Sequence, residues 1–390
     1  MIEVRESDVP TLVHERVRQL ANAGALPAYV HDVAGLRAHA AGIRDALSLP
    51  GAPELLYAAK ANPDAPILAA LAPYVDGIEV ASGGELRHVR DVLPDAELHL
   101  GGPGKTDEEL ALGIVQASRI HVESPHELTR LAAMARIARR GAEVLLRVNL
   151  PGDRRGAALA MSGPFGMDGD LIGQCLPILE ASPLLRLRGV HAHLASGLDA
   201  TAMLTQSREI LAWARPWLAR AGVEDPEINL GGGMAVDYAD PAGRFDWAFY
   251  GRQIAALAAP GETLRIEPGR SVSVYSGWYV TRVLDVKANH GHVYAVLAGG
   301  THHIRTPAAK GHDQPFTVIP AGGGGPAASD VAVTLVGQLC TPKDVFARGI
   351  PVRRIAAGDV VAFEMAGAYA WNISHHDFLM HPTPGFHYLE

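Results

Sequence analysis

Four short apolar runs of this chain each close on residues able to do chemistry. Lys60 ends "YAAKAN"; His193 and Ser196 end "HAHLASG"; Gly231, Gly232 and Gly233 end "EINLGGG"; Glu267 and Arg270 lie in "EPGR". Singly, each has a bland explanation. A lysine at a strand end can snorkel to solvent, a histidine can be a hydrogen-bonded core residue, a glycine run can answer a need for positive φ, and a glutamate with an arginine can be a structural ion pair. Gathered at one place, they supply an amine to condense with an aldehyde, backbone N–H groups to hold a phosphate, a flat ring to stack and a carboxylate to pair with a ring nitrogen. That set suits pyridoxal phosphate catalysis.

The elements that must bring these residues together are regular. From residue 54 onward, eight β-type runs alternate with longer Ala-, Leu- and Arg-rich segments of helical period, beginning with "ELLYAAKAN", "GIEVAS", "AELHLGGP" and "SRIHVES" and ending with "TLRIEPG". The first four runs end at Asn62, Ser82, Pro103 and Ser124, steps of about 20 residues, enough for one strand, one helix and two short loops. Such steps predict parallel strands with crossover helices. An open doubly wound sheet shares the alternation, but eight units favour a (β/α)8 barrel, whose active sites lie at the C-terminal ends of the strands. After Gly269 the texture turns to "VSVYSGWYVTRVLDVKA", "HVYAVLAGG" and "VAVTLVGQLC", a β-rich sandwich or barrel-like domain. The expected division is a barrel over residues 28–265 and a second domain from residues 1–27 and 266–390.

Composition narrows the function classes. At 390 residues, with 48% hydrophobic and 19% charged residues, the chain is globular and large enough for two domains. A net charge of −8 without like-charge blocks argues against nucleic acid and anionic membranes as partners. Cys175 and Cys340 are too few for a disulfide framework and lack zinc-site spacing. With no apolar leader at the N-terminus and no run of about 18 apolar residues, the expected location is cytoplasmic.

Eight motifs in order, "LPAYVHD", "YAAKAN", "GIEVASGGEL", "HAHLASG", "NLGGGMAVDY", "EPGR", "GQLCTPKDVF" and "GAYAWN", resemble the alanine racemase-like pyridoxal phosphate enzymes, and within them the diaminopimelate and ornithine decarboxylase group. The resemblance implies that Lys60 is the Schiff-base lysine, His193 the ring-stacking histidine and Glu267 the pyridine-nitrogen partner. It assigns phosphate or substrate contacts to Ser196, Gly231, Gly232, Gly233 and Arg270. It also implies that Tyr369 closes over the phosphate, and that Cys340 reprotonates the substrate carbon from the second subunit of a homodimer with shared sites. A carboxylate at Glu267 keeps the ring nitrogen protonated and favours decarboxylation; the related alanine racemases place an arginine there.

The substrate is expected to be a small carboxylate-rich amino acid derivative. Simple diaminopimelate or ornithine decarboxylases follow the cysteine with an acidic residue that reads a distal ammonium, whereas this chain has Thr341. The familiar "SKFG" reads "SGPFG" from Ser162 to Gly166, without its lysine. "GGTHHIRTPAAKGHDQPF" supplies His302, His303, Arg305, Lys310 and His312, cationic or cationisable groups suited to carboxylates, with His303 and Arg305 the leading substrate contacts. These features look most like the decarboxylases of carboxylate siderophore assembly that act on citryl-diaminopropionate. A diaminopimelate-like or carrier-linked amino acid decarboxylase is the alternative, followed by a racemase or a non-catalytic pyridoxal phosphate carrier. His375, His376, Asp377 and His381 imitate a metal cluster, but no metal is expected.

Overall fold

A computed structural model describes residues 9–152, 157–161, 163–305, 311–322 and 324–390. The chain divides into two compact units, one of residues 1–36, 237–243 and 273–390 and the other of residues 37–236 and 244–272. The first strand, β1 (Ala28–Asp32), belongs to the former. It pairs antiparallel with β12 (Gly277–Asn289) and parallel with β18 (Gly385–Leu389). The sequence placed residue 28 at the head of the barrel; the barrel instead begins one helix later, because the edges of β1 are taken up by the other sheet.

The second unit is a closed parallel barrel. Its strands are β2 (Glu54–Ala58), β3 (Gly77–Val80), β4 (Leu98–Leu100), β5 (Arg119–Val122), β6 (Ala142–Arg147), β8 (Leu185–His191), β10 (Glu227–Asn229) and β11 (Thr263–Ile266), with β11 closing on β2. A small antiparallel pair, β7 (Leu159–Ala160) and β9 (Ala195–Ser196), is inserted. All eight sequence runs are barrel strands. Residues 55–58 and 77–80 are buried throughout, as expected of strands covered on both faces. Polar caps fix where the outer helices start. The Ser82 hydroxyl accepts from the Glu85 N–H, Ser124 from Glu127 and Asp199 from Ala202, and Thr106 with Glu109 forms a capping box.

The floor of the barrel is ionic. Glu227, first residue of β10, receives Arg119 at 2.5 and 2.7 Å and Arg188 at 3.0 Å, and also pairs with Arg265. Arg265 reaches Glu54 at 2.7 Å as well, and Arg119 reaches Glu143 at 2.5 Å. Burial alone would raise the Glu227 carboxyl, yet the three guanidinium groups bring it down to about 2. Residues from six strands are thereby tied at the end opposite the chemistry.

The other unit is a sheet in the order β14 (Phe316–Ile319), β17 (Val360–Phe363), β12, β13 (His292–Leu297), β15 (Ala327–Val336), β16 (Val345–Ala356), with β1 and β18 joined through β12. Its core is built around Tyr29, Tyr279, Phe346 and Phe363, all essentially buried, with neighbouring ring centroids 4.8–6.4 Å apart.

Candidate active site

The strand ends of the barrel collect the residues that the sequence singled out there. Lys60 lies in a 3-10 turn directly after β2, and its Nζ donates to Glu79 Oε2 at 2.7 Å. Its side chain is 45% exposed while that of Glu79 is 6% exposed: the buried member of the pair is the carboxylate, and the amine stands at the rim. Glu85 accepts from the Ala81 N–H at 2.7 Å. Burial, and then the Glu79 charge, raise its carboxyl, against the lowering effects of the Ala81 hydrogen bond and of Lys60.

His193 follows β8. The Gly232 N–H donates to Nδ1 at 3.0 Å, which places the proton on Nε2, 3.3 Å from the Ser196 hydroxyl. Burial first, then the charges of Lys60, His191 and Arg147, push this imidazole down to about 3. It is a neutral flat ring at neutral pH. The Lys60 charge acts on both His193 and Glu267, so these three groups share one electrostatic space.

The triple glycine has a steric reason. Gly231 and Gly233 take φ of 71° and 107°. A Cβ on Gly232 would lie against the Glu267 carbonyl and one on Gly233 against the Ala195 carbonyl, closer than carbon and oxygen can approach. The Asn229 side chain accepts from the Gly231 N–H at 2.9 Å and holds the turn in place. A side-chain-free turn at a barrel mouth is a cradle for a phosphate. Glu267, one residue past β11, is buried, with Asn229 Nδ2 donating to Oε1 at 2.6 Å and His191 Nε2 donating to Oε2 at 3.1 Å. Amine, neutral ring, cradle and fixed carboxylate fit pyridoxal phosphate. Arg270 begins the short helix at 270–273 and is half-buried.

Sequence reasoning missed Glu79, His191, Asn229 and the Arg147–Glu123 pair, which is 2.6 Å long and buried. Glu79 carried a signal, an acidic residue inside an otherwise buried strand. His191 stood two residues before a histidine already chosen.

The remaining site residues belong to the β-rich unit. Cys340 is exposed, on the loop between β15 and β16. That loop is held by Asp344, whose carboxylate accepts from the Leu339 N–H at 2.8 Å and the Thr301 N–H at 2.6 Å. Thr341 is half-buried, and its N–H donates to the Leu339 carbonyl at 2.9 Å. Tyr369 sits at φ 50°, a left-handed conformation unusual for a residue with a large side chain. Arg305 is exposed, and its backbone N–H donates to Ser374 Oγ at 2.9 Å. His303 is a correction. Its Nε2 donates to the Pro382 carbonyl at 3.0 Å and its Nδ1 accepts from the Tyr279 hydroxyl at 2.9 Å, so both nitrogens are consumed by the core and neither is left to read a substrate. His302, beside it, is equally buried, with neither ring nitrogen partnered. His376 stacks on Trp371 at 3.6 Å and His381 Nδ1 meets Gln338 at 2.6 Å. Ser162 and Lys310 lie outside the described residues.

Comparison with known proteins agrees with this geometry. The profile of the pyridoxal-dependent decarboxylase pyridoxal-binding domain matches residues 34–274. The 2-[(L-alanin-3-ylcarbamoyl)methyl]-2-hydroxybutanedioate decarboxylase of Staphylococcus aureus is 40% identical over 93% of each chain. The L-glutamyl-[BtrI acyl-carrier protein] decarboxylase of Niallia circulans is 28% identical over 92% of this chain and 87% of its own. The diaminopimelate decarboxylase of Helicobacter pylori, solved with L-lysine, superimposes with a TM-score of 0.83 at 23% identity, over 96% of this chain and 94% of that one. From the barrel, the side-chain-free cradle and these matches together, the chain belongs to the family of pyridoxal-dependent decarboxylases.

Proposed function

We propose that this protein removes the α-carboxylate of 2-[(L-alanin-3-ylcarbamoyl)methyl]-2-hydroxybutanedioate, citryl-diaminopropionate, as a step of carboxylate siderophore assembly, and that it works as a homodimer. The observation that carries the substrate is the 40% identity, across nearly the whole chain, to the Staphylococcus aureus enzyme of that name. Thr341 supports it. A distal ammonium left without an anionic partner in a desolvated pocket is costly, whereas a citrate arm carries no such charge.

Bound pyridoxal phosphate supplies the electron-accepting ring that the carbon–carbon cleavage needs. We assign the chain's own residues the following roles, which their placement and the family resemblance support. Lys60 holds the cofactor covalently through its amine, with Glu79 orienting Nζ. The side-chain-free turn of Gly231 to Gly233, whose first two N–H groups are committed to Asn229 and His193, makes room for the phosphate, and Ser196, Arg270 and Tyr369 contact it. His193 is a neutral face for the ring, its tautomer fixed by Gly232, so it adds no cation beside one that Glu267 must stabilise. Glu267 offers an ionised carboxylate to the ring nitrogen. Arg305, exposed and cationic, pairs with substrate carboxylates. Cys340 has an exposed thiol and is the proton donor to the α-carbon in the partner's site.

The test is kcat/KM for citryl-diaminopropionate against meso-diaminopimelate and L-lysine, followed by carbon dioxide release. The first is expected to exceed the others by two orders of magnitude or more, roughly the value of an unpaired buried charge. Faster turnover of diaminopimelate would overturn the assignment.

A further inference from the structure

Behind Glu267 the barrel interior is filled by imidazole rings where parallel barrels ordinarily place branched aliphatic side chains. His121 of β5 stacks on His191 with centroids 4.3 Å apart and an interplanar angle of 18°, and its Nε2 lies 3.9 Å from Glu267 Oε1. His99 of β4 meets His121 edge-on at 5.6 Å, and its own Nε2 is 2.9 Å from Glu97 Oε1. His191 Nδ1, His121 Nε2 and His99 Nδ1 are all buried without a hydrogen-bond partner. Three unsatisfied ring nitrogens are costly in a core. Packing alone gives no reason to keep them.

We propose that His191, held in place by the His121–His99 stack, is a positioning residue that keeps Glu267 ionised and aimed, and so sets the protonation of the cofactor's ring nitrogen. This rests on the reading of Glu267 as that nitrogen's partner. The groups facing Glu267 are His191 from β8, His121 from β5, Asn229 from β10 and Lys60 from the turn after β2. Burial pushes the Glu267 carboxyl up; His191, through its charge and its hydrogen bond, and then His121 and Lys60 hold it well below the usual carboxylate range. Burial, with the neighbouring His191, also pushes His121 well below the usual imidazole range. At 3.9 Å, however, His121 Nε2 is too far from Glu267 to hydrogen-bond to it. That leaves His191 as the N–H donor on Oε2, and it donates from Nε2 whether the ring is neutral or charged.

A second arrangement is chemically open at the same place. His99, His121 and Glu267 each offer a ligand atom, all within 4.8 Å of one another, a spacing that a divalent cation could draw together. Both Glu267 oxygens already accept hydrogen bonds from Asn229 and His191, which favours the positioning role.

The experiment follows the holoenzyme absorption spectrum between pH 6 and 9 in His191→Phe, His191→Asn, His191→Gln and Glu267→Gln. Phe keeps the stacked ring and removes the donor, Asn is too short to reach Oε2, and Gln carries an N–H at nearly the reach of Nε2. Without the donor the Glu267 carboxyl rises toward its protonated form and the ring nitrogen loses its anion. The spectral transition should then move down by about one to two pH units in the Phe and Asn variants, with most of the shift restored in Gln. No shift in Phe or Asn, alongside a clear shift in Glu267→Gln, would overturn this role for His191. An unchanged transition in Glu267→Gln would overturn the ring-nitrogen reading itself. One equivalent of divalent metal that survives chelation and is lost in His121→Phe would also overturn the proposal, since a cation would then do what His191 is assigned.

Discussion

Replacing Glu227 by Gln keeps the shape of the barrel floor and removes the charge at its centre. Glu227 is buried and engages Arg119, Arg188 and Arg265. Its folded-state carboxyl, brought down to about 2 against the penalty of burial, lies roughly two pH units below that of an unfolded glutamate, worth about 3 kcal/mol by linkage. Breaking a buried ionic network on one side costs about 3–5 kcal/mol by general experience. The two estimates agree. At about 2–4 °C per kcal/mol for a unit of this size, the melting temperature of the barrel should fall by roughly 6–12 °C at neutral pH.

The pH dependence gives the prediction its sign. A carboxyl whose folded-state value is depressed contributes stability above its unfolded value and loses that contribution as pH falls through the folded one. The deficit of Glu227→Gln should therefore be full above about pH 5 and shrink steadily toward pH 2. Thermal melts followed by far-ultraviolet circular dichroism from pH 7 to pH 3 measure it. A deficit below about 1 kcal/mol at pH 7, or one that stays constant down to pH 3, would refute the electrostatic account of the floor.

Gly232→Ala should weaken cofactor binding by at least tenfold and also lower the barrel's melting temperature, since the added methyl group meets the Glu267 backbone carbonyl and a strand end must shift; titration of apoprotein with pyridoxal phosphate and a thermal melt measure the two effects. Borohydride reduction and peptide mapping should place the pyridoxyl group on Lys60 in the unaltered protein and find none anywhere in Lys60→Ala, and attachment at another lysine in the unaltered protein would sink the assignment. Mixed Lys60→Ala and Cys340→Ala chains should recover activity if sites are shared between subunits, and heterodimers shown to form without recovery would refute that arrangement. Thr341→Glu should improve kcat/KM for diaminopimelate relative to citryl-diaminopropionate by about tenfold or more, in proportion to a restored charge pair.

The barrel was legible because its information is local and repeated. Three successive strand runs, β3 to β5, are each followed by a capping residue, Ser82, Thr106 or Ser124, and then a helix, so sequence spacing alone orders these units. The site residues at strand ends followed once the barrel was assumed. Glu79 did not, because its partner Lys60 lies 19 residues away and meets it only through the pairing of Ala58 with Glu79 across β2 and β3. His302 and His303 show the limit of composition. Two adjacent histidines read alike in sequence, but the turn after β13 carries His303 between Tyr279 and Pro382 and leaves its neighbour unpartnered. Strand β1 was misplaced for a related reason: "AYVHD" has the same apolar pattern as a barrel strand, and only its pairing with β12 and β18 decides its unit.

One short segment shows how this barrel separates stability from chemistry. Glu227 anchors β10 in the ionic floor, Asn229 at the end of the strand fixes both the Glu267 carboxylate and the Gly231 N–H, and the cradle follows at once. Floor and mouth are thus only a few residues apart along one strand, yet their energetics differ in kind. The floor is a set of charges already paired within the barrel and gains nothing from a ligand. The mouth keeps an exposed amine, paired with Glu79, and a turn without side chains, groups that gain further partners when a cofactor binds. Changes at Glu227 should therefore lower stability at constant cofactor affinity, while Ser196→Ala, which removes a hydroxyl at the mouth 3.3 Å from His193 Nε2, should lower affinity at nearly constant stability. If both variants lost stability and affinity in equal proportion, floor and mouth would have to be treated as one cooperative element and the separation abandoned.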